Sequence, residues 1–262
     1  MDTDALRQIC AQITQAQREA AELMMHAHGI LAEMKSGHRD VVTEYDRRVQ
    51  ALLMERLALA VPGVKFFCEE NERQDDFFAE QLFIIDPIDG TMNFVRGLNH
   101  SSISVAYASR GELLAGAVYN PYVDEMFTAV KGGGAYLNGR PIHVYDGPLS
   151  ESLVCFGSAP YSPELTGRTF RLVEKAHRAS LDIRRQGSAA LDLCSAAAGR
   201  AGAYFELLVS PWDYAAGMLI VQEAGGVCRT VDGAPLVPGP GKTSILAGGK
   251  QAAEELCKAL ED

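Results

Sequence analysis

The sequence predicts an α/β protein whose halves are built differently: an α+β half over about residues 1–150 and an alternating α/β half over 151–262. Three observations carry that prediction. Residues 101–137 alternate apolar and polar side chains between turn signals, which is how an antiparallel meander reads. From Ser152 onward, short apolar runs take turns with helix-period stretches, the pattern of strands connected through helices. Upstream of both, Leu82, Phe83, Ile84 and Ile85 form a continuous apolar run of the kind a strand buried on both faces shows.

In chain order, residues 4–34 place Leu6, Ile9, Cys10, Ile13, Ala21, Leu23, Met24, Ile30 and Leu31 at helical period, with no proline before Pro62. One long amphipathic helix is expected, weakened at Gly29 and over by Ser36 and Gly37. A second helix should follow Thr43, a good N-cap, and run through Val49, Leu52, Leu53 and Leu57 to the break at Pro62 and Gly63. Residues 64–71 read as a short strand tipped by Glu69 and Glu70. Pro87 has no N–H for a central strand, so the apolar run should turn there, and Gly90 and Thr91 can open a short helix. The run Gly132, Gly133, Gly134 lacks the Lys-Ser/Thr of a phosphate loop and leads into a strand, so a tight hairpin is expected. In the second half we expect a strand over 152–157, a helix from Glu164 to about Arg178 and a strand over 181–185. A helix over 188–199 and a strand over 201–207 follow. Next come a helix from Pro211 closed by Gly225 and Gly226, a strand over 244–248 and a last helix over 250–261. No internal repeat or flexible linker divides the chain, so residues 1–262 are read as a single unit.

The 262 residues are 47% apolar and 22% charged, ordinary values for a globular chain that buries its own core. A net charge of −10 without basic stripes argues against a nucleic-acid surface. The six cysteines are scattered and form no CxxC, so they read as reduced thiols of a cytoplasmic protein, and neither a signal peptide nor a membrane span is visible.

The chemistry gathers in residues 84–94, IIDPIDGTMNF, where two carboxylates, a hydroxyl and a glycine turn sit at the end of an apolar run. Asp86 and Asp89, three apart, would face opposite sides of a regular strand; the turn forced by Pro87 and Gly90 is what brings them together. Free N–H groups at the helix opened by Gly90 and Thr91 favour an anion such as phosphate. At about 5 Å and an effective dielectric near 20, each like-charge pair costs roughly 3 kcal/mol, so acids beside a phosphate make sense around a divalent cation. Taken alone, the pentapeptide is equally a common turn, Asp46 a helix-dipole acid, and Glu69 and Glu70 a solvated strand end.

Four separated segments together resemble the inositol monophosphatase family of magnesium-dependent, lithium-sensitive phosphatases: DVVTEYD at 40–46, the acidic pair at 69–70, DPIDGTMNF at 86–94, and WDYAAGMLIVQEAGG at 212–226. The resemblance covers nearly the whole chain and implies a layered αβαβα sandwich. It implies that Glu69, Asp86 and the carbonyl of Ile88 hold one Mg²⁺, and that Asp86, Asp89 and Asp213 hold a second. A third, looser ion would use Glu69, and Mn²⁺ could substitute; hard oxygen ligands suit both metals. It further implies that Thr91, paired with Asp46, activates water, with Glu69 beside them, and that the N–H groups of Gly90 and Thr91 grip the phosphate. Asp89, Gly187, Ser188, Ala189, Glu206 and Asp213 would face the substrate, with Glu206 against ring hydroxyls.

The implied reaction is hydrolysis of a small polyol phosphate, myo-inositol monophosphate first, in a homodimer that engages neither nucleic acid nor membrane. Fructose 1,6-bisphosphate or a nucleotide 3′-phosphate is the alternative substrate on the same scaffold. A regulatory partner-binding protein with the phosphatase fold is the alternative from another class. Two departures from the family pattern stand out: Cys68 replaces the usual glycine before the acidic pair, and Ser210 and Pro211 precede the tryptophan.

Overall fold

The computed structural model describes residues 2–34 and 41–261. Five layers stack in the order helices, sheet, helices, sheet, helices, so the αβαβα sandwich is observed. The outer layer is α1 (Thr3–Met25) against α2 (Glu44–Ala60). Both pack on a seven-stranded sheet of β3 (Lys65–Cys68), β4 (Leu82–Asp89), β5 (Ser102–Ser109), β6 (Glu112–Asn120), β7 (Glu125–Val130), β8 (Ala135–Leu137) and β9 (Arg140–Pro141), in that spatial order. The middle layer is α5 (Ala189–Ala197) and α6 (Pro211–Glu223). Beyond it lies a five-stranded sheet, in the order β11 (Asp182–Arg184), β10 (Leu153–Phe156), β12 (Ala203–Val209), β14 (Thr243–Gly248) and β13 (Val227–Arg229). α4 (Thr166–Ala179) and α7 (Lys250–Leu260) cover its far face.

Strand alternation builds these layers. Phe83 and Ile85 of β4 face α1 and α2, whereas Leu82 and Ile84 face the middle layer. Tyr214 through Val221 of α6 are all buried, with no polar face left, because sheets cover the helix on both sides. The apolar cluster around α5 and α6 therefore draws on both halves of the chain.

Three expectations need correction. The first helix ends at Met25, with His26 as its C-cap, and does not continue to residue 34. Gly29 takes a left-handed φ of 59°, after which Ala32–Met34 (β1) pairs antiparallel with Val41–Thr43 (β2). The expected stop at Ser36 and Gly37 lies outside the described residues, as does Asp40 of the 40–46 segment. Second, β4 passes through Pro87 and ends at Asp89. Its pairing with β3 stops at Ile85, so beyond that point only β5 is alongside, and the register slips between Asp86 and Asp89. A proline is tolerated on such an irregular edge, where the ladder to β3 has already ended. Third, β9 and β13, two and three residues long, were not anticipated. The triple glycine does join β7 to β8 as a hairpin, held by Glu223, which accepts the N–H groups of Gly132 and Gly134 at 2.8 and 2.9 Å.

Candidate active site

A cleft of about 290 Å³ opens where the end of β4 meets the first turns of α5 and α6. It is lined by Glu69, Asp86, Ile88, Asp89, Gly90, Thr91, Gly187, Ser188, Ala189, Glu206 and Asp213, every nominated residue except Asp46, which stands just behind Thr91.

Each acid is delivered by a distinct local device. Glu69 follows β3, and its N–H bonds Ile85 O at 3.1 Å, which carries the β3–β4 pairing one residue further and sets Glu69 beside Asp86. Asp86 and Asp89 reach the same cleft because of the register slip at the end of β4. The N–H of Ile88 donates to Asp86 Oδ1 at 3.1 Å. Asp89 is gripped from the second half: the Ser188 hydroxyl donates to Oδ2 at 2.5 Å, and the N–H groups of Ala190 and Ala189 donate at 2.8 and 3.3 Å. Ser188 and Ala189 thus anchor Asp89 as well as lining the cleft, and Gly187 lines it beside them. Asp213 occupies the third position of α6, where it accepts the N–H of Ser210 at 2.6 Å in a capping box.

Asp46, fully buried, closes the capping box of α2: the N–H and hydroxyl of Thr43 donate to its Oδ2 at 2.7 and 2.5 Å. Its other oxygen, Oδ1, lies 3.1 Å from the Thr91 hydroxyl, which shares its proton with Ile88 O at 3.1 Å. The capping and catalytic readings of Asp46 are therefore compatible, one oxygen for each. Thr91 opens α3 (Thr91–Val95), and Gly90 before it has φ of 90°. A Cβ on Gly90 would lie 2.9 Å from Gly187 O, so only glycine lets these two loops meet.

Glu206 is buried at the floor. Tyr204 OH donates to its Oε2 at 2.7 Å and Ala159 N–H to its Oε1 at 2.8 Å, leaving the second lone pair of each oxygen. Gly157 makes room for it, since a Cβ there would fall 1.8 Å from Oε2. Sequence reasoning passed over Gly157, Tyr161, Arg185, Asp192 and Lys242, all of which line the cleft. Lys242 stands over the Tyr161 ring at 4.9 Å. Gly157 and Tyr161 share the loop after β10, Arg185 and Lys242 lie on two others and Asp192 is in α5, and no spacing signal joins them.

The electrostatics are lopsided. Burial, then the neighbouring carboxylates led by Glu69, raises Asp86 and Asp213 well above the ordinary aspartate range. Burial raises Asp89 to about 6 against the opposing bonds from Ser188 and Ala190. No three His, Cys, Asp or Glu among the described residues close into a ready-made metal cage. The side chains are turned to hydrogen-bond donors, and Glu69 and Asp86 bond each other. The donor set nevertheless fits a hard divalent ion: four carboxylates and the Ile88 carbonyl, all oxygen, with excess negative charge and neither cysteine nor histidine among the residues that line the cleft.

A family profile, that of the inositol monophosphatase family, matches residues 5–262. The chain is 38% identical over 221 residues to a fructose-1,6-bisphosphatase/inositol-1-monophosphatase of Thermotoga maritima, covering 82% of each. It is also 38% identical over 195 residues to a Nus factor SuhB of Pasteurella multocida, covering 74% of this chain and 73% of that one. Among solved structures, an IMPase/NADP phosphatase complexed with Mg²⁺ and phosphate superposes with a TM-score of 0.84 at 25% identity, covering 97% of this chain and 95% of the other.

Proposed function

The chain belongs to the inositol monophosphatase family, and from that premise we propose that it is a Mg²⁺-dependent phosphomonoesterase acting on a small polyol phosphate, myo-inositol monophosphate foremost. The observation that carries this reading is the convergence of Glu69, Asp86, Asp89 and Asp213 on one cleft with the Thr91–Asp46 pair. Two to three Mg²⁺ ions held by Glu69, Asp86, Ile88 O, Asp89 and Asp213 would offset the acids' charge and polarise the phosphoryl oxygens. Thr91 Oγ1 takes a proton from the water that attacks phosphorus as its own passes to Asp46 Oδ1, 3.1 Å away, while the ester P–O bond breaks and the departing alkoxide takes a proton from solvent. The other oxygen of Asp46 stays fixed by Thr43, so the base is held in line. Gly90 and Thr91 hold the phosphate at the start of α3, and Glu206 accepts from substrate hydroxyls. We also read residues 1–262 as one unit, a cytoplasmic homodimer sensitive to Li⁺.

The relative named as a Nus factor keeps a second reading in view, a regulatory protein acting through a partner surface. A panel of phosphate esters, assayed for released phosphate with and without Mg²⁺, separates the two. Hydrolysis of inositol 1-phosphate that vanishes in EDTA is expected; no Mg²⁺-dependent hydrolysis of any ester in the panel would leave the partner reading in possession.

A further inference from the structure

Asp192 is a buried carboxylate at the cleft wall that the reaction above does not use. It sits in the first turn of α5, and its Oδ1 accepts the side-chain N–H of Gln186 at 2.8 Å. The same Gln186 amide reaches Cys155 Sγ of β10 at 3.6 Å, so the side chain is held from two elements. The backbone carbonyl of Gln186 then accepts Asn93 Nδ2 at 2.8 Å, and His100 O accepts it at 2.7 Å. Asn93 belongs to α3, two residues after Thr91, and Ser101 secures the start of that helix by donating to Gly90 O at 2.9 Å. A continuous run of hydrogen bonds therefore leads from Asp192 through Gln186 and Asn93 to the helix that carries Thr91.

α3 has five residues and one intrahelical turn, too few to hold its own orientation. What fixes it must come from outside, and Asn93 is its buried polar contact with the second half of the chain. We propose that Asp192 and Gln186 are positioning residues for Thr91: by clamping the 186–189 segment they fix the carbonyl on which Asn93 hangs, and so set the Thr91 hydroxyl against Asp46. The proposal rests on the catalytic reading of Thr91 given above.

The experiment is a double-mutant cycle on inositol 1-phosphate hydrolysis with saturating Mg²⁺. Asp192→Ala should lower kcat about tenfold in the wild-type background, the order of one lost buried hydrogen bond, with KM within about twofold. Asp192→Asn, whose Oδ1 can still accept from Gln186, should restore most of it. In the Thr91→Ala background, Asp192→Ala should cost less than about twofold, because the group it positions is gone. A Thr91→Ala enzyme as active as wild type would defeat the catalytic reading itself. Losses that simply multiply would overturn the positioning inference and leave that reading standing. Gln186→Ala provides the same cycle should Asp192→Ala fail to fold. Amide hydrogen exchange supplies a readout independent of turnover: protection at Phe94 and Arg96 should drop about tenfold in Asp192→Ala and return in Asp192→Asn, with the amides of β6 unmoved. A uniform drop across α3 and β6 would mean a merely structural role.

Discussion

Two regions meet at the cleft and assemble it by opposite means. Residues 86–91 bring Asp86, Ile88, Asp89, Gly90 and Thr91 on one unbroken stretch, arranged by a register slip, a proline and a left-handed glycine. Residues 185–213 bring Ser188 at the N-cap of α5, Glu206 on β12 and Asp213 in α6, which only the packing of the middle layer on the five-stranded sheet unites. The first region is geometry written locally; the second is geometry that exists only after folding. The two are tied by Ser188 on Asp89 and Gln186 on Asn93. On the proposed reading the contrast also divides the work: Thr91 in the contiguous stretch moves the proton, Glu206 in the dispersed one receives the substrate hydroxyls, and the metal ligands come from both.

The largest expected effect tests whether both regions serve one metal site. Removing the metal with excess EDTA, Asp86→Asn in the first region and Asp213→Asn in the second should each lower kcat/KM by about a thousandfold or more, since Lewis-acid stabilisation is worth several kcal/mol. Calorimetric titration of Mg²⁺ should weaken in both variants. Normal Mg²⁺ binding in Asp213→Asn would detach the second region from the metal and leave Asp213 as the cap of α6.

A smaller loss should isolate the chemistry of the contiguous stretch. Thr91→Ala should lower kcat by about a hundredfold, the usual worth of general-base assistance, with the Mg²⁺ dependence unshifted. Wild-type turnover in that variant would return Asp46 to capping alone, a task its Oδ2 already performs.

The sequence announced the two regions unequally for physical reasons. An antiparallel meander and alternating strands and helices are local patterns, so the layers were legible, while β9 and β13 are too short to carry a period. The first helix misled because Ile30 and Leu31 continue its period, whereas the helix stops at Met25 and the left-handed backbone at Gly29 then leads the chain into β1. Asp86 and Asp89 were visible as neighbours in sequence, but the slip that aims them together depends on where β3 stops. Glu206 was reached only through the family resemblance, and its bonds to Tyr204 and Ala159 and the space left by Gly157 belong to tertiary structure. Tyr161, Arg185 and Lys242 come from loops without any period and were invisible for that reason.

Substrate choice in the dispersed region hangs on Glu206. Glu206→Ala should raise KM for inositol phosphate about ten- to a hundredfold, the worth of a charge-assisted hydrogen bond. The loss should be at least about tenfold greater than on phenyl phosphate, which offers no hydroxyls to Glu206. Equal losses on the two esters would make Glu206 a support of the fold and break the proposed division of labour.

The smallest effect reaches the same carboxylate from a distance. Gly157 touches no proposed metal ligand, but a methyl group there would stand 1.8 Å from Glu206 Oε2 and must displace it. The obstacle is the end of a flexible side chain, so in Gly157→Ala the carboxylate can swing away while the strands stay in place. The swing costs the charge-assisted bonds from Tyr204 and Ala159, about 1.5 to 3 kcal/mol each, so the melting temperature should fall by about ten degrees. The selectivity between inositol phosphate and phenyl phosphate should drop by roughly tenfold, toward that of Glu206→Ala, because the acceptor is misplaced and not deleted. Combined with Glu206→Ala, the glycine substitution should add almost nothing, since the two changes act through one group. A multiplicative loss in the double variant would show that Gly157 shapes the cleft by another route, and the dispersed region would then owe its specificity to more than Glu206.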